Sequence, residues 1–201
     1  NTYIVITMPD IWSPFYFDTE GLPRPLEFKW IEQLGAMMIK NIEIHSGGSI
    51  LSRYSGEYLN CLKERDYSNV KKDLWNRMTG NIPELNDPGN AHGNINAYPN
   101  TQWSTAALDI EPSIRGNQLY VPLDAFFCES SKTALPLVAL QYQEINIKIS
   151  IKPIMDLYTI NNVNETPGNN GLSYRIRPNK NILEHQMWRF LQPPKDIYAS
   201  T

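Results

Sequence analysis

The sequence predicts an all-β protein, an antiparallel sandwich or jelly roll with short helical insertions and long loops. Its clearest strand signal lies at 145–151, where isoleucine alternates with asparagine, lysine and serine. Strand side chains point to opposite faces with a period of two, so this segment has one apolar and one polar face. Charged residues make up only 19% of the chain and 15 residues are proline, which is typical of a loop-rich β protein rather than a helical bundle.

The amino-terminal elements follow from alternation and from turn residues. In order, they are a strand at 2–8, a loop at 11–25, an ordered stretch at 28–45 and a return strand at 50–51. Three prolines and a glycine predict the loop. Met37 and Ile39 are out of step with the later isoleucines, which indicates a β-bulge. Gly47 and Gly48 supply the positive φ angles that a tight hairpin turn needs.

The next elements begin with a change of period. In order, we predict two short helices within 55–80, an irregular region at 81–117, strands from 119 to 152, a further segment at 154–160, a polar loop, a short strand at 172–176, and a tail from 181. The helices follow from apolar residues spaced by three and four, with Ser68 as a cap and Gly80 as an end. The apolar run at 134–140 predicts a strand that passes from a fully covered to a half-covered region.

The length, charge and cysteine content of the chain narrow the class of protein to which it can belong. A chain of 201 residues fits a single domain, 1–201, and a strand close to Asn1 indicates that the sequence begins inside a longer protein. The net charge of −3, without a long basic run, argues against direct binding of nucleic acid. No apolar run is long enough to span a bilayer. Cys61 and Cys128 are predicted to be buried free thiols in a reducing compartment.

The histidines and carboxylates do not form a recognisable catalytic pattern. His45, His92 and His185 are far apart, without the close spacing of a jelly-roll metal enzyme, so they are interpreted as loop or surface residues. Two groups of acidic residues fall in predicted loops, where carboxylates are usually solvated rather than paired for glycoside hydrolysis. These acidic residues are Asp10, Asp18 and Glu20, and Asp109 with Glu111.

Other short motifs also have structural interpretations. The Ser46–Ser49 segment lacks the order of a nucleophile elbow or a phosphate loop and is predicted to be a hairpin turn. Asn164 begins the single N-glycosylation sequon, but Pro167 directly follows it, which favours an asparagine-rich turn. The five tryptophans and 11 tyrosines suit either sugar stacking or core and interface packing, and the second is favoured because no spacing defines a platform.

Two longer phrases resemble the double jelly-roll major capsid proteins of nucleocytoplasmic large DNA viruses, with the mimivirus and algal-virus branch the most similar. The first, within 28–60, places eight residues at the family's positions: Trp30, Gly35, Ile39, Ile42, Glu43, Ile44, Gly47 and Gly48. The second contains the segments Tyr120–Leu123, Phe126–Cys128 and Ala134–Tyr142, which are similar to the family's VPL, F.FC and ALPLIALQYHEV phrases. The order of the two phrases and the helical insert between them also agree with the family.

The resemblance implies a structural role. It implies that the chain is the first half of a double jelly roll, with 154–201 as an extension toward a second jelly roll. Neither motif is catalytic, so we expect no catalytic, cofactor-binding or metal-binding residue. The implied protein is a homotrimer that forms pseudo-hexagonal capsomers of an icosahedral shell and contacts neighbouring capsomers and minor capsid proteins.

The resemblance also implies a location. The protein would be part of the virion, assembled in the host cytoplasm, with an inner viral membrane nearby and no direct contact with nucleic acid. The irregular region 81–117 is a candidate for the top of the capsomer, because it is the longest gap between predicted strands. Two other functions stay open: a carbohydrate-binding jelly-roll module that uses exposed aromatic residues, and a jelly-roll enzyme, for which no constellation is evident.

Overall fold

The computed structural model describes residues 2–13, 15–17, 23–93, 112–135, 138, 140, 144–162, 175–176, 178–183 and 186–192. The strands are β1 (Tyr3–Thr7), β2 (Phe15–Phe17), β3 (Pro23–Trp30), β4 (Ile39–Ser46), β5 (Ser49–Tyr54), β6 (Gln118–Pro122), β7 (Ile145–Ile151), β8 (Tyr158–Asn162) and β9 (Arg175–Ile176). The α-helices are α1 (Leu34–Met37), α2 (Gly56–Asp66), α3 (Asn69–Thr79), α4 (Pro83–Asn86) and α5 (Phe126–Glu129), and short 3-10 segments add to them. The predicted all-β antiparallel class with short helical insertions is confirmed.

The chain divides into two compact units. The first contains residues 1–6, 32–81 and 118–153. The second contains residues 7–31, 82–117 and 154–201. Each unit is therefore assembled from three separate stretches of the chain.

The first unit contains the three-stranded sheet β5-β4-β7. The antiparallel register places Ile147 opposite Ile44 and Ile149 opposite Ile42, while Lys148 lies opposite Glu43. The predicted separation of apolar and polar faces is thus confirmed. The β4 isoleucines are buried, but Ile147, Ile149 and Ile151 of β7 are 37%, 36% and 59% exposed, because β7 is an outer strand of this sheet.

The predicted hairpin and bulge are also present. Gly47 and Gly48 have φ angles of 53° and 85° between β4 and β5. The register between β4 and β7 shifts between Ile39 and Asn41, so a bulge does occur at the start of β4. Met37 belongs instead to α1, a single helical turn that was not predicted within the ordered stretch 28–45.

The two predicted helices within 55–80 are confirmed as α2 and α3. Ser55 caps α2 by accepting a hydrogen bond from the backbone N–H of Tyr58, at 3.4 Å. Gly80 ends α3 with a φ angle of 77°. Ser68 occupies the N-cap position of α3 without a side-chain capping bond. Both helices therefore begin and end where the spacing of polar and glycine residues placed them.

The side-chain amide of Asn60, on α2, is buried without hydrogen bonds to the described residues, and this holds for both its nitrogen and its oxygen. Asn60 is one turn after Gly56 and next to Leu59, two residues of the buried face of the helix. A buried amide without partners costs free energy that an apolar side chain of similar size avoids.

We therefore expect Asn60→Leu to raise the free energy of unfolding by about 1 kcal/mol, measured by urea denaturation. Leucine is also the better helix former, so Asn69→Leu, at an exposed position of α3, measures that contribution alone. If Asn60→Leu raised the free energy of unfolding by no more than Asn69→Leu does, the Asn60 amide would have hydrogen-bond partners in solution.

The second unit contains the four-stranded sheet β2-β3-β8-β9. Phe28 of β3 is fully buried and lies at the centre of an aromatic cluster. Its ring centroid is 5.0 Å from Trp30, 4.9 Å from Tyr158 and 5.1 Å from Phe190. Three distant stretches of the chain thus meet at one aromatic ring.

The loop predicted at 11–25 is wrong in part, because β2 and the start of β3 form an antiparallel pair within it. Proline weakens a strand only where its nitrogen should donate a hydrogen bond. Pro23 and Pro25 are two residues apart and pair with β2, while the pairing of β3 with β8 begins only at Leu26. No hydrogen bond to β8 is therefore required from the nitrogens of Pro23 and Pro25, so both prolines are compatible with strand β3.

A buried ionic group fixes the segment after α3 to the same unit. The Lys29 ammonium lies 2.9 Å from a Glu27 carboxylate oxygen and 2.7 Å from one of Asp87. Both Lys29 and Glu27 are nearly inaccessible to solvent. Because Asp87 lies between α4 and the 3-10 segment Pro88–Gly93, this ion pair attaches the start of the region predicted to be irregular to strand β3. Residues 94–111 lie outside the described residues.

Within the predicted strand 134–140, Val138 and Leu140 are in turns and Val138 is 83% exposed, so the strand is wrong at those residues. An apolar run predicts that its side chains are buried, but a strand also requires a neighbouring strand with which its backbone can form hydrogen bonds.

The segment 154–201, predicted to be an extension, contributes a strand to the fold, because β8 belongs to the second unit's sheet. The division of the chain into a jelly roll and an extension stays a prediction.

Candidate assembly surfaces

The histidines do not converge. His45 lies on β4, and His92 has a left-handed φ of 56° and lines a 520 Å³ cavity of the second unit together with Glu84 and Arg115. The nearest Glu84 oxygen is 4.0 Å from His92 Nδ1. His185 lies outside the described residues. Within the described ranges, no group of three or more His, Cys, Asp or Glu side chains could hold a metal ion.

The polar face of the β5-β4-β7 sheet carries a small charged network around Glu43. Its carboxylate accepts hydrogen bonds from His45 Nε2 at 3.0 Å and from the Asn41 amide at 2.8 Å, and Arg53 lies 3.4 Å away. The hydrogen bond from His45 is the main cause that lowers the pKa of Glu43 below its ordinary value of 4.5. The arrangement favours the charged form of the Glu43 carboxylate, which accepts hydrogen bonds on the polar face of the sheet.

We expect this network to make stability depend on pH. A lowered carboxyl pKa in the folded state adds stability above the ordinary value of 4.5, and this stability is lost as the pH falls through the folded value. Urea unfolding of Glu43→Gln, His45→Gln and the double variant, at pH 6 and at pH values below about 4, measures the coupling of the two side chains. The coupling free energy between Glu43 and His45 should be smaller at the lower pH. An equal coupling free energy at both pH values would show that the hydrogen bond from His45 does not lower the pKa of Glu43.

The described acidic residues and cysteines that were considered in the sequence also lie at separate places. Asp10 accepts a hydrogen bond from the backbone N–H of Gly116 at 2.7 Å, a structural contact, while Asp18, Glu20, Asp109 and Glu111 lie outside the described residues. Both cysteines are free, but Cys61 is exposed and Cys128 is only partly buried, so the predicted burial is wrong for Cys61 and is not complete for Cys128. Cys61 has the clearer cause. It follows the buried Leu59 of α2 by two residues, a rotation of about 200° that turns it to the solvent side.

A groove of 310 Å³ lies in the first unit between α3 and the strands β1 and β6. The Tyr67 and Trp75 rings meet edge to face at 5.7 Å, and the Lys71 ammonium lies 5.3 Å from the Tyr67 ring centroid. The complete lining is Thr2, Tyr3, Tyr67, Lys71, Leu74, Trp75, Met78, Pro122, Asp124 and Cys128. Burial, followed by the charge of Asp124, raises the pKa of Tyr67. The groove thus presents neutral aromatic and apolar side chains with few charges.

The sheet next to this groove has two unlike faces. Backbone hydrogen bonds join Leu123 to Thr2 and Met8 to Asn117, so β1 and β6 are antiparallel and Val5 lies opposite Tyr120. Leu119 and Val121 are fully buried on the inner face.

The outer face, in contrast, is apolar and exposed. Tyr3, Val5 and Tyr120 are each more than two-fifths exposed, and so are Val70 and Leu74 on the adjoining helix α3. An exposed apolar surface of this kind is typical of association with another protein surface.

The tryptophans divide between core and surface. Trp30 and Trp75 are buried, Trp188 is 55% exposed and Trp103 lies outside the described residues. Core and interface packing, the favoured interpretation of the aromatic residues, agrees with this distribution. The exposure of Trp188 and of the outer face of β1 and β6 was not predicted, because exposure depends on distant parts of the chain. The dense apolar residues at 187–191 were the available signal.

In the described parts of the chain, no helix has both the length and the apolar character needed to cross a membrane.

The antiparallel sheets, the structural roles of the polar groups and the exposed apolar faces define a protein whose chemistry is that of packing and association. In agreement, the family model described as "Major capsid protein N-terminus" matches residues 1–174. The chain therefore belongs to the major capsid protein N-terminus family, a structural family, and the resemblance inferred from its motifs is confirmed. The predicted jelly-roll class agrees with this membership.

Individual relatives are similar over most of this chain. "Probable capsid protein 4" of Acanthamoeba polyphaga mimivirus is 28% identical over 158 residues, which are 79% of this chain and 26% of the relative. The major capsid protein of Phaeocystis pouchetii virus is 29% identical over 158 residues, which are 77% of this chain and 29% of the relative. The chain thus spans less than a third of the length of these relatives.

A solved structure is also similar. The crystal structure of PBCV-1 VP54 fitted into a cryo-EM reconstruction of the virophage Sputnik matches with a TM-score of 0.43 and 16% identity. The match covers 75% of this chain and 35% of that chain.

Proposed function

We propose that this chain is the first jelly roll of a double jelly-roll major capsid protein, which forms homotrimeric pseudo-hexagonal capsomers of the icosahedral shell of a large DNA virus. The match of the capsid family to residues 1–174 is the observation that carries the proposal. The relatives are more than three times as long as the matched region, which leaves room for a second jelly roll. The role is structural and requires no catalytic residue.

The exposed apolar surfaces support association with other subunits. The outer face of β1 and β6 and the groove beside α3 combine tyrosine, tryptophan and aliphatic side chains, the residue types that are enriched in the buried centre of interfaces. Capsid subunits must associate with copies of themselves, and closed symmetry requires complementary patches on each copy. Contacts of this apolar kind are only weakly screened by salt.

The partners and the location follow from the same role. The neighbouring capsomers and minor capsid proteins are the expected partners, and the virion is the expected location, with assembly in the host cytoplasm and an inner viral membrane nearby. The net charge of −3 agrees with a shell that does not contact nucleic acid directly.

Native mass spectrometry and negative-stain microscopy of the full-length polypeptide test the proposal. We expect trimers that appear as hexagonal plates and that persist in roughly 1 M salt, because the contacts are mainly apolar. A monomer at all concentrations would contradict the proposal, and a monomer that binds on a glycan array would support a carbohydrate-binding module instead.

The proposed position of the region 81–117 at the top of the capsomer has its own test. Limited proteolysis of the assembled particle should cut first within this region, since loops that project from a shell are accessible to protease. The helical segments up to Gly93, held by the Lys29–Asp87 ion pair, should resist longer than the residues that follow. Protection of the whole region in the particle would contradict this position.

A further inference from the structure

Strand β1 has an open edge on the side that faces away from β6, since no other strand of the described residues pairs with it. The backbone N–H of Leu123 donates to the Thr2 carbonyl oxygen at 3.0 Å. In an antiparallel pair, every second residue bonds to the same neighbouring strand. The even-numbered residues of β1 therefore bond to β6, and the backbone N–H and C=O groups of Tyr3, Val5 and Thr7 point to the open edge.

The sequence of β1 lacks the features that keep an open edge from pairing with another strand. Natural edge strands are protected by lysine, by proline or by a bulge. The strand Tyr3–Thr7 has no charged residue and no proline. Strand β7, which is also an outer strand, contains Lys148 and is followed by Lys152 and Pro153. The unprotected edge of β1 indicates that another strand covers it in the assembled protein.

The burial of side chains across the two strands supports the same conclusion. Leu119 and Val121 of β6 are fully buried, whereas Ile4 and Ile6, on the same face of β1, are only half-buried. The inner face of the sheet is thus less completely covered at β1 than at β6. A further strand beside β1 removes more of the surface of both isoleucines from water, which favours association.

We propose that β1 pairs with β1 of a second copy of this chain, antiparallel and across a two-fold axis at Val5. This inference rests on the proposed function and deepens it, since it names one contact by which copies associate. The threefold rotation of a trimer joins unlike patches, whereas a two-fold axis joins like patches. The strand pairing therefore joins subunits of two different trimers.

Strand β1 is complementary to itself in this register. Val5 lies opposite Val5 of the second copy, Tyr3 opposite Thr7, and Ile4 opposite Ile6. Each of these pairs combines residues of one face, as an antiparallel pair requires. The pair at Val5 and the two pairs of Tyr3 with Thr7 exchange two backbone hydrogen bonds each, about six in total. Because β1 carries no charge, the two-fold axis brings no like charges together.

The exposed outer face of the sheet becomes continuous in this arrangement. Val5 is 54% exposed and lies opposite Tyr120, which is 42% exposed. The Tyr120 hydroxyl donates a hydrogen bond to Gln118 Oε1 at 2.8 Å, so the polar end of the ring has a partner within β6. Pairing of two copies places Tyr120, Val5, and then Val5 and Tyr120 of the second copy in one row. Aromatic and β-branched neighbours of this kind stabilise a sheet.

Disulfide crosslinking of the full-length polypeptide tests the register. A Cys61→Ser background removes the exposed thiol. In that background, Val5→Cys places two thiols opposite each other with Cα atoms about 5.5 Å apart, which is within the range of a disulfide. We expect the oxidant diamide to give a linked pair of twice the chain mass on a non-reducing gel, and peptide mass spectrometry to locate the linkage at position 5.

Thr7→Cys is the matched control on the same strand. Two copies of position 7 are about 14 Å apart in the proposed register, so this variant alone should give no linked pair. Co-expressed Tyr3→Cys and Thr7→Cys chains should be linked to each other, because these positions are opposite. Equal linkage from Thr7→Cys alone would show that the register is wrong. The absence of a linked pair from Val5→Cys would show that something other than β1 of a second copy covers the edge.

Val5→Lys separates this inference from the proposed function. It places like charges opposite each other, which weakens the pairing. Native mass spectrometry should therefore show the loss of species that contain two trimers, while single trimers persist. Ile50→Lys, at a position of the outer strand β5 that is likewise 54% exposed, should leave both species unchanged.

The two failures are distinguishable. Persistence of two-trimer species with Val5→Lys would contradict the strand pairing and leave the proposed function intact. Absence of trimers from the unsubstituted polypeptide would contradict the proposed function. In that case the linked pair from Val5→Cys still decides whether β1 pairs with a second copy.

Discussion

Phe28→Ala should lower the free energy of unfolding by about 4 kcal/mol, the larger of the two main effects that we expect. Phe28 is fully buried and contacts three aromatic rings contributed by β3, β8 and the 3-10 turn Met187–Phe190. Truncation removes the transfer free energy of the ring and leaves a cavity that its large neighbours cannot fill. Because domains are stable by only about 5–15 kcal/mol, the variant should lie close to the limit of folding.

Urea denaturation followed by circular dichroism measures the loss. Phe28→Leu, which keeps most of the apolar volume, should cost roughly 1.5 kcal/mol or less. The exposed aromatic residue Trp188 offers the opposite control, and Trp188→Ala should change stability by no more than about 0.5 kcal/mol. If Phe28→Ala and Trp188→Ala had equal effects, the aromatic cluster would not be the core of the second unit.

Gly56→Ala should destabilise the first unit by roughly 3 kcal/mol. Gly56 is the first residue of α2, and an added Cβ would overlap the carbonyl oxygen of Ala36 and lie 2.8 Å from that of Ile39. Both neighbours are backbone atoms, so no side-chain rotation relieves the overlap. Helix α2 must move away from α1 and from the start of β4, which disturbs the packing of Leu59.

Gly48 is the matched control for this substitution. It has a φ of 85° in the β4–β5 turn, and no atom lies within 4 Å of the position of an added Cβ. Gly48→Ala should therefore cost only the left-handed backbone strain of about 1 kcal/mol, and Gly48→Asn should cost less. Thermal unfolding of the three variants separates the two causes. An equal loss for the two alanine variants would mean that α2 does not contact α1 this closely.

Local patterns in the sequence were sufficient for the elements whose signals are local. The alternation at 145–151 predicted strand β7, the glycines at 47 and 48 predicted the hairpin, and apolar residues spaced by three and four within 55–80 predicted two helices. Each of these signals depends on residues a few positions apart, because turn angles and side-chain periods are properties of the local backbone. The family phrases are local too, which is why the resemblance was evident before the fold.

The sequence by itself thus determined the all-β antiparallel class, the helical insertion and the membership of a capsid family. Tertiary structure alone decided which surfaces are covered. It placed Pro23 and Pro25 in a strand because β8 pairs only from Leu26, and it turned Cys61 outward while burying Phe190 and exposing Trp188 two residues away. The physical reason is that periodicity orders side chains along one element, whereas burial depends on contacts between segments far apart in the chain.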